Sequence, residues 1–200
     1  MTKHKVFISY HHKNDQWAKE ALLELDIFID GSVDTGDIND SLPQETIREI
    51  IRDNYLKDTT VTILLVGTDT KNRKHIDWEI YSSMYNGKIN KKSGILVIQL
   101  PSTKPKYKFI SHGEKEKQGL YQNKTFLKNI SSRKEFEDYF PYLPKRIIDN
   151  LLKPEVKISV VEWDELIIDK NKLKWFIELT FNGKADCEYD LGREMKERNS

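Results

Sequence analysis

A glutamate near the start of one predicted helix is the best-placed residue in this sequence to do chemistry. Residues 75–80 read His-Ile-Asp-Trp-Glu-Ile and come after a long apolar run. At about 100° per residue, Ile76 and Ile80 define a buried helical stripe, and Glu79 lies roughly 60° to one side of it. The carboxylate is therefore expected on the border between core and cleft, near the positive end of the helix, which favours its ionised form. Spacing alone also fits a solvated residue that only benefits from the helix dipole.

A second set of polar side chains follows the first strand candidate. Residues 5–8 have strand composition, and Asn14-Asp15 is an N-cap signal for a helix that contains Trp17. Together they predict a β-loop-α unit, and ligands of open α/β sheets bind at the carboxyl ends of the strands. We therefore expect a small-molecule site beside the loop residues Ser9, Tyr10, His11 and His12.

The rest of the first half predicts the elements that position these residues. Residues 60–67 and 94–100 are nearly continuous apolar, β-branched runs, typical of strands buried on both faces of a parallel sheet. Helices are predicted from Pro43 onward and over residues 75–87. This alternation predicts an α/β fold, a doubly wound parallel sheet built from right-handed βαβ units. Its strands are expected near residues 5–10, 26–30, 60–67 and 94–100.

The second half of the chain has a different pattern. Residues 102–125 are lysine-rich and predict a long exposed loop. Apolar stripes and β-branched residues predict three further elements: a helix at 140–152, an edge strand at 156–161 and a closing helix at 172–181. The polar residues from Asn182 onward predict a frayed tail. We therefore expect one domain over residues 1–152 and a C-terminal extension over residues 153–200 packed on it.

Composition limits the possible partners and compartment. The 33 Lys and Arg residues nearly balance 32 Asp and Glu residues, and the net charge of +1 argues against a nucleic-acid surface or a polybasic membrane anchor. The single Cys187 excludes an intramolecular disulfide, which favours a reducing compartment. No signal-peptide core and no run of 18 apolar residues is present. We expect a cytoplasmic protein that binds neither nucleic acid nor membrane.

An acidic loop offers another candidate binding group. Asp34-Thr35-Gly36 is the tripeptide of aspartic proteases, but it lies in a polar loop within a βαβ context and not in an all-β barrel. The turn could instead place Asp34 or Asp37 over the cleft as an acceptor for sugar hydroxyls. A plain acidic loop fits the same residues.

Other function classes lack their motifs. The five histidines and Cys187 show no metal-ligand spacing, so no metal is expected. Neither a Gly-x-Gly-x-x-Gly motif nor a phosphate-binding loop is present, which argues against a dehydrogenase or a P-loop NTPase. The strands also lack the acidic cluster and aspartate of a response regulator. The basic residues 104–117 are interrupted by Glu114 and Glu116, as in a solvated loop.

These motifs together resemble a family. Residues 6–10, Val-Phe-Ile-Ser-Tyr, look like the opening strand of Toll/interleukin-1 receptor (TIR) domains, and Trp78-Glu79 looks like the part of their helix that bears the catalytic glutamate. Residues 32–38 and the pattern from Val66 to Arg73 are closer to the bacterial TIR-like group related to MTH538. That group includes the TIR component of the Thoeris anti-phage system. The resemblance covers roughly residues 4–101.

The resemblance implies a flavodoxin-like fold and an NAD⁺ glycohydrolase or ADP-ribosyl cyclase activity. The product would be an ADP-ribose-derived, cyclic messenger, made on phage infection, that reaches a sensing effector by diffusion. NAD⁺ is then the substrate, no further cofactor is expected, and a homo-oligomer is possible. The residues carried over by position are catalytic Glu79 and the substrate-binding residues Ser9, Tyr10, His11, Asp34 and Trp78.

One carboxylate suffices for this reaction. Nicotinamide is cationic in NAD⁺ and departs neutral, so no general acid is needed, unlike in ordinary glycosides. An anion beside the ribose stabilises the oxocarbenium-like transition state, and aromatic rings such as Tyr10 and Trp78 can stack on the bases. Two alternatives stay open: a non-catalytic TIR adaptor for protein assembly, and an enzyme similar to nucleoside deoxyribosyltransferases.

Overall fold

A single parallel sheet forms the centre of the molecule. The computed structural model describes residues 3–32, 41–87, 89–113, 116 and 130–200. The sheet has the strand order β2-β1-β3-β4-β5, and all of its pairings are parallel. The strands are β1 (Lys5–Ser9), β2 (Ile29–Asp30), β3 (Val61–Val66), β4 (Gly94–Gln99) and β5 (Ser159–Glu162).

Helices cover both faces of this sheet. Those in the described part of the chain are α1 (His12–Glu24), α2 (Gln44–Ile50), α3 (Lys74–Met84), α4 (Arg133–Tyr139), α5 (Lys145–Leu151), α6 (Trp163–Ile168) and α7 (Lys170–Gly183). A π-helical turn, Ile51–Tyr55, extends α2, and a short 3₁₀ helix, Thr70–Asn72, precedes α3.

Each face of the sheet has its own apolar core. On one face, Ala18 and Leu22 of α1 pack with Phe176 of α7 against the strands. On the other face, Ile76 and Ile80 of α3 pack with residues of α4 and α5. Every residue of β3 and β4 is buried, as their apolar sequences predicted. The α/β, doubly wound, flavodoxin-like arrangement is therefore confirmed.

Three boundaries differ from the sequence predictions for local reasons. Helix α1 begins earlier than the Asn14-Asp15 signal indicated, because the His11 side chain caps it by accepting the Asn14 N–H. Strand β2 has only two residues, since Asp26 adopts a positive φ of 50° that ends the preceding helix with a turn. The helix predicted over 140–152 is shortened to α5, because Pro144 forms the N-cap of α5 and interrupts any longer helix; α4 ends before residue 140.

The prediction of a frayed tail after Asn182 was wrong. Helix α7 continues to Gly183, and beyond it the side chains of Cys187 and Met195 are buried, at 0% and 4% exposure. Met195 packs with Phe7 and Trp78 in a third apolar cluster. The composition is polar, but backbone groups of this segment are hydrogen-bonded to buried side chains of the domain, which the sequence did not indicate.

Helices α1 to α7 are short or amphipathic. In the ranges that the structure describes, none combines the length and the apolar character that crossing a bilayer requires.

Candidate functional site

The crevice between the ends of β1 and β3 is where this topology places a ligand. In the order β2-β1-β3-β4-β5, the chain leaves β1 in one direction and later adds β3 on its other side, so these strands form the topological switch point. Ser9 is the last residue of β1 and pairs with Leu64 of β3. Gly67 directly follows β3.

Ser9 and Glu79 meet at this edge of the sheet. Alternation along β1 directs Phe7 and Ser9 towards the face covered by α3, and Glu79 lies in the second turn of that helix. The Ser9 hydroxyl donates a hydrogen bond of 2.6 Å to Glu79 Oε2. Ser9 is fully buried and Glu79 is partly buried. The structure thus joins two of the predicted site residues that are 70 positions apart in the sequence.

Burial changes the acidity of Glu79. Desolvation raises the pKa of its carboxyl group to about 7, and the Ser9 hydrogen bond lowers it in part. The described residues contribute no charge to this shift, because its only causes are burial and the serine. A partly buried carboxylate with few donors interacts more strongly with a cation that approaches it than an exposed carboxylate does.

Tyr10 and His11 continue the loop after Ser9 but face other partners. The Tyr10 hydroxyl donates to Gln16 Oε1 at 2.5 Å, and its ring stacks on that of His12 with 4.5 Å between centroids. His11 Nδ1 accepts the Asn14 N–H at 3.1 Å, so His11 serves α1 as its cap. Both Tyr10 and His11 are 7% exposed. Their proposed contacts with a substrate stay predictions.

Of the two remaining predicted site residues, the structure describes Trp78 but not Asp34. The Trp78 indole is 3% exposed and lies in the apolar cluster with Phe7 and Met195, and its Nε1–H donates to the carbonyl of Lys196 at 2.8 Å. Stacking of Trp78 on a ligand would require the C-terminal segment to move. Asp34 lies outside the described residues.

Sequence reasoning missed Asp15. Its carboxylate is 4% exposed and lies against Gly67, where a Cβ atom would come within 2.5 Å of Oδ2. Burial raises the pKa of Asp15, the charge of His11 lowers it and that of Asp69 raises it. The Asn14-Asp15 pair was interpreted only as a helix N-cap signal. The signal that could have identified Asp15 is an acidic residue that closely follows a strand ending at the switch point.

His12 is a second group whose environment the sequence did not reveal. Although His12 is exposed, partial desolvation lowers its pKa, and the positive charges of Lys19, His11 and His75 lower it further. The loop after β1 and the start of α3 therefore bring basic groups near one another. Within the ranges given above, no group of three His, Cys, Asp or Glu side chains could hold a metal ion.

The fold and this site define a class of protein: a TIR-like domain with a glutamate on the helix after β3. Residues 7–105 match the family described as Thoeris protein ThsB, TIR-like domain. Residues 7–105 therefore form a Thoeris-type bacterial TIR-like domain, as the resemblance in the sequence predicted. No match was found among curated proteins.

Proposed function

We propose that this protein cleaves NAD⁺ and produces an ADP-ribose-derived, cyclic signal molecule in anti-phage defence. The observation that carries the proposal is the partly buried Ser9–Glu79 hydrogen bond at the switch point. The match of residues 7–105 to the Thoeris TIR-like domain supports the same function.

The chemistry follows from one anion in a partly buried site. Breaking the bond between ribose and nicotinamide sends its electrons to the ring, which leaves as a neutral molecule, while positive charge develops on the ribose. Ionised Glu79 stabilises that charge, and low solvent access strengthens the interaction. Water as the acceptor gives ADP-ribose, and an atom of the same nucleotide gives a cyclic isomer.

The remaining predicted residues would bind the substrate. Tyr10 would supply an aromatic face and His11 a ring nitrogen, and Asp34 would accept hydrogen bonds from sugar hydroxyls. Trp78 lies in the apolar cluster, so it would chiefly anchor helix α3, which carries Glu79, and would contact a base of the substrate less directly. A cytoplasmic protein of this kind would act on its effector through the diffusible product.

Purified protein and infected cells provide the test. NAD⁺ loss and product mass are measured for the parent, for Glu79→Gln and for Glu24→Gln, an exposed glutamate of α1 that serves as the matched control. Consumption by the parent and Glu24→Gln, but not by Glu79→Gln, supports the proposal.

The same experiment separates the alternatives. Equal NAD⁺ loss with Glu79→Gln would exclude Glu79 as the catalytic residue. Turnover of deoxynucleosides in place of NAD⁺ would indicate a deoxyribosyltransferase-like enzyme. Constant NAD⁺ in infected cells that nevertheless resist the phage would indicate an adaptor.

A further inference from the structure

The C-terminal strap, defined here as residues 193–199, lies against helix α3. It falls outside the residues 7–105 that match the family. Arg146 of α5 is completely buried and donates to the carbonyl groups of Arg193 (2.8 Å) and Glu194 (2.9 Å). One buried guanidinium thus holds two consecutive carbonyls of the strap.

The same guanidinium is bound to Asp77 of α3. Arg146 Nε and Nη2 donate to the two oxygens of Asp77 at 3.0 and 2.9 Å, in a bidentate pair. The backbone N–H of Lys196 adds a third donor to Asp77 at 3.0 Å. Asp77 is 4% exposed, so these bonds form in a low-dielectric environment where loss of a partner is costly.

Further contacts fasten the strap along α3. Met195 packs beside Trp78, whose indole N–H donates to the Lys196 carbonyl. The N-cap residue of α3, Arg73, provides no side-chain hydrogen bond, and Asn199 Oδ1 instead accepts the Lys74 N–H at 2.9 Å. The strap therefore supplies the cap that the local sequence lacks.

The position of these contacts on the helix relates them to Glu79. Asp77 and Glu79 are two residues apart, which is about 200° around a helix, so the strap holds the side of α3 opposite the Ser9–Glu79 bond. A helix of about 5–6 Å radius that turned by about 20° would move the carboxylate by about 2 Å. A hydrogen bond of 2.6 Å does not survive such a displacement.

We propose that the C-terminal strap, held by Arg146 and Asp77, is a positioning element that fixes the rotation of α3 and so keeps Glu79 against Ser9. Arg146 and Asp77 are positioning residues that act through Glu79. The consequence for catalysis rests on the proposed function, whereas the consequence for the environment of Glu79 does not.

Titration of Glu79 tests the proposal without requiring turnover. The carboxyl signal is followed by NMR in protein labelled with ¹³C at the glutamate side chains and is assigned by its absence in Glu79→Gln. Arg146→Lys keeps the charge but loses the fork that binds two oxygens at once. We expect the titration midpoint of Glu79 to fall by about 1 pH unit, because the gain of solvent removes the larger cause of the raised pKa and outweighs the loss of the Ser9 hydrogen bond, which alone would raise it. Lys134→Arg, in an exposed ion pair with Asp138 that touches neither the strap nor α3, is the control and should titrate like the parent.

Kinetics and stability separate positioning from a purely structural role. If the parent cleaves NAD⁺, Arg146→Lys should lower kcat about 100-fold with a smaller change in KM, since misplacement by about 1 Å has that effect. A lower melting temperature with an unchanged Glu79 midpoint would overturn the proposal. If the Glu79 midpoint shifts in Arg146→Lys but the parent itself cleaves no NAD⁺, the positioning role is supported and the proposed function is contradicted.

A second pair of variants decides the matter if Arg146→Lys does not fold. Lys196→Pro removes the N–H that Asp77 accepts, whereas Lys196→Ala keeps that N–H and the carbonyl bound by Trp78. We expect a lower Glu79 midpoint in Lys196→Pro than in Lys196→Ala. Equal midpoints in the two variants would overturn the proposal.

Discussion

Helix α3 carries two carboxylates, Asp77 and Glu79, that the fold treats in opposite ways. Asp77 receives two hydrogen bonds from Arg146 and one from the Lys196 backbone. Glu79 receives one, from the Ser9 hydroxyl, and its pKa rises to about 7. Asp77 is thus a compensated carboxylate, whose negative charge is balanced by Arg146 in a structural contact. Glu79 is an under-compensated carboxylate at a crevice, where a ligand can supply the missing positive charge.

Removing the compensated carboxylate should have the largest effect. Asp77→Ala leaves the Arg146 guanidinium buried without its counter-charge, which is expected to lower the free energy of unfolding by about 3–5 kcal/mol. Urea denaturation measures the change. Asp138→Ala, in the exposed i,i+4 pair with Lys134, is the control and should change stability little. A small loss in Asp77→Ala would mean that the strap is weakly held.

Removing the under-compensated carboxylate should affect activity instead. Glu79→Gln keeps the size of the side chain and removes the charge, so we expect a fall in the rate of NAD⁺ cleavage of about 100-fold or more. The rate is followed by the appearance of nicotinamide. If Glu79→Gln cleaved NAD⁺ at a rate within a factor of two of the parent, Glu79 would not be catalytic and the functional distinction between Asp77 and Glu79 would fail.

Glu79→Gln should also change the pH dependence of stability. Because the folded pKa of about 7 exceeds the ordinary value of 4.5, the stability associated with protonated Glu79 is complete below pH 4.5. It is lost as the pH rises to 7 and beyond. The variant should therefore gain about 2 kcal/mol over the parent between pH 5 and pH 8. If the pH–stability curves of the parent and Glu79→Gln ran parallel, Glu79 would make no pH-dependent contribution to stability and would be better solvated than its surroundings imply.

The smallest expected effect comes from the serine that binds Glu79. Ser9→Ala removes the hydrogen bond that lowers the Glu79 pKa, so the pKa should rise further above 7. The acidic limb of the pH–rate profile should move to higher pH by up to about 1 unit. Ser9→Thr, which retains a hydroxyl, should restore the parental profile. An unchanged limb in Ser9→Ala would mean that the bond contributes nothing to the ionisation of Glu79.

The sequence predicted those parts of the molecule that depend on local pattern. Uninterrupted apolar runs in β3 and β4 required cover on both faces, and this requirement led to the parallel sheet. A residue that ends a strand lies at the carboxyl edge whatever the details of packing, so Ser9 could be placed near the site. The face of Glu79 followed from helical periodicity in the same way.

Only the tertiary structure decided what the polar residues far apart in the sequence contact. Asp77 meets Arg146 across 69 positions and Lys196 across 119, and no periodicity marks such pairs. The tail was predicted to fray because its side chains are polar, whereas its order comes from backbone groups, which every residue has, and from Met195. Trp78 was predicted as a substrate-binding residue from the family resemblance; the structure places its indole in the apolar cluster with Met195, and its contact with a substrate stays a prediction. Apolar spacing determines elements and faces because burial acts on each residue locally, whereas the pairing of polar groups requires the folded chain to bring them together.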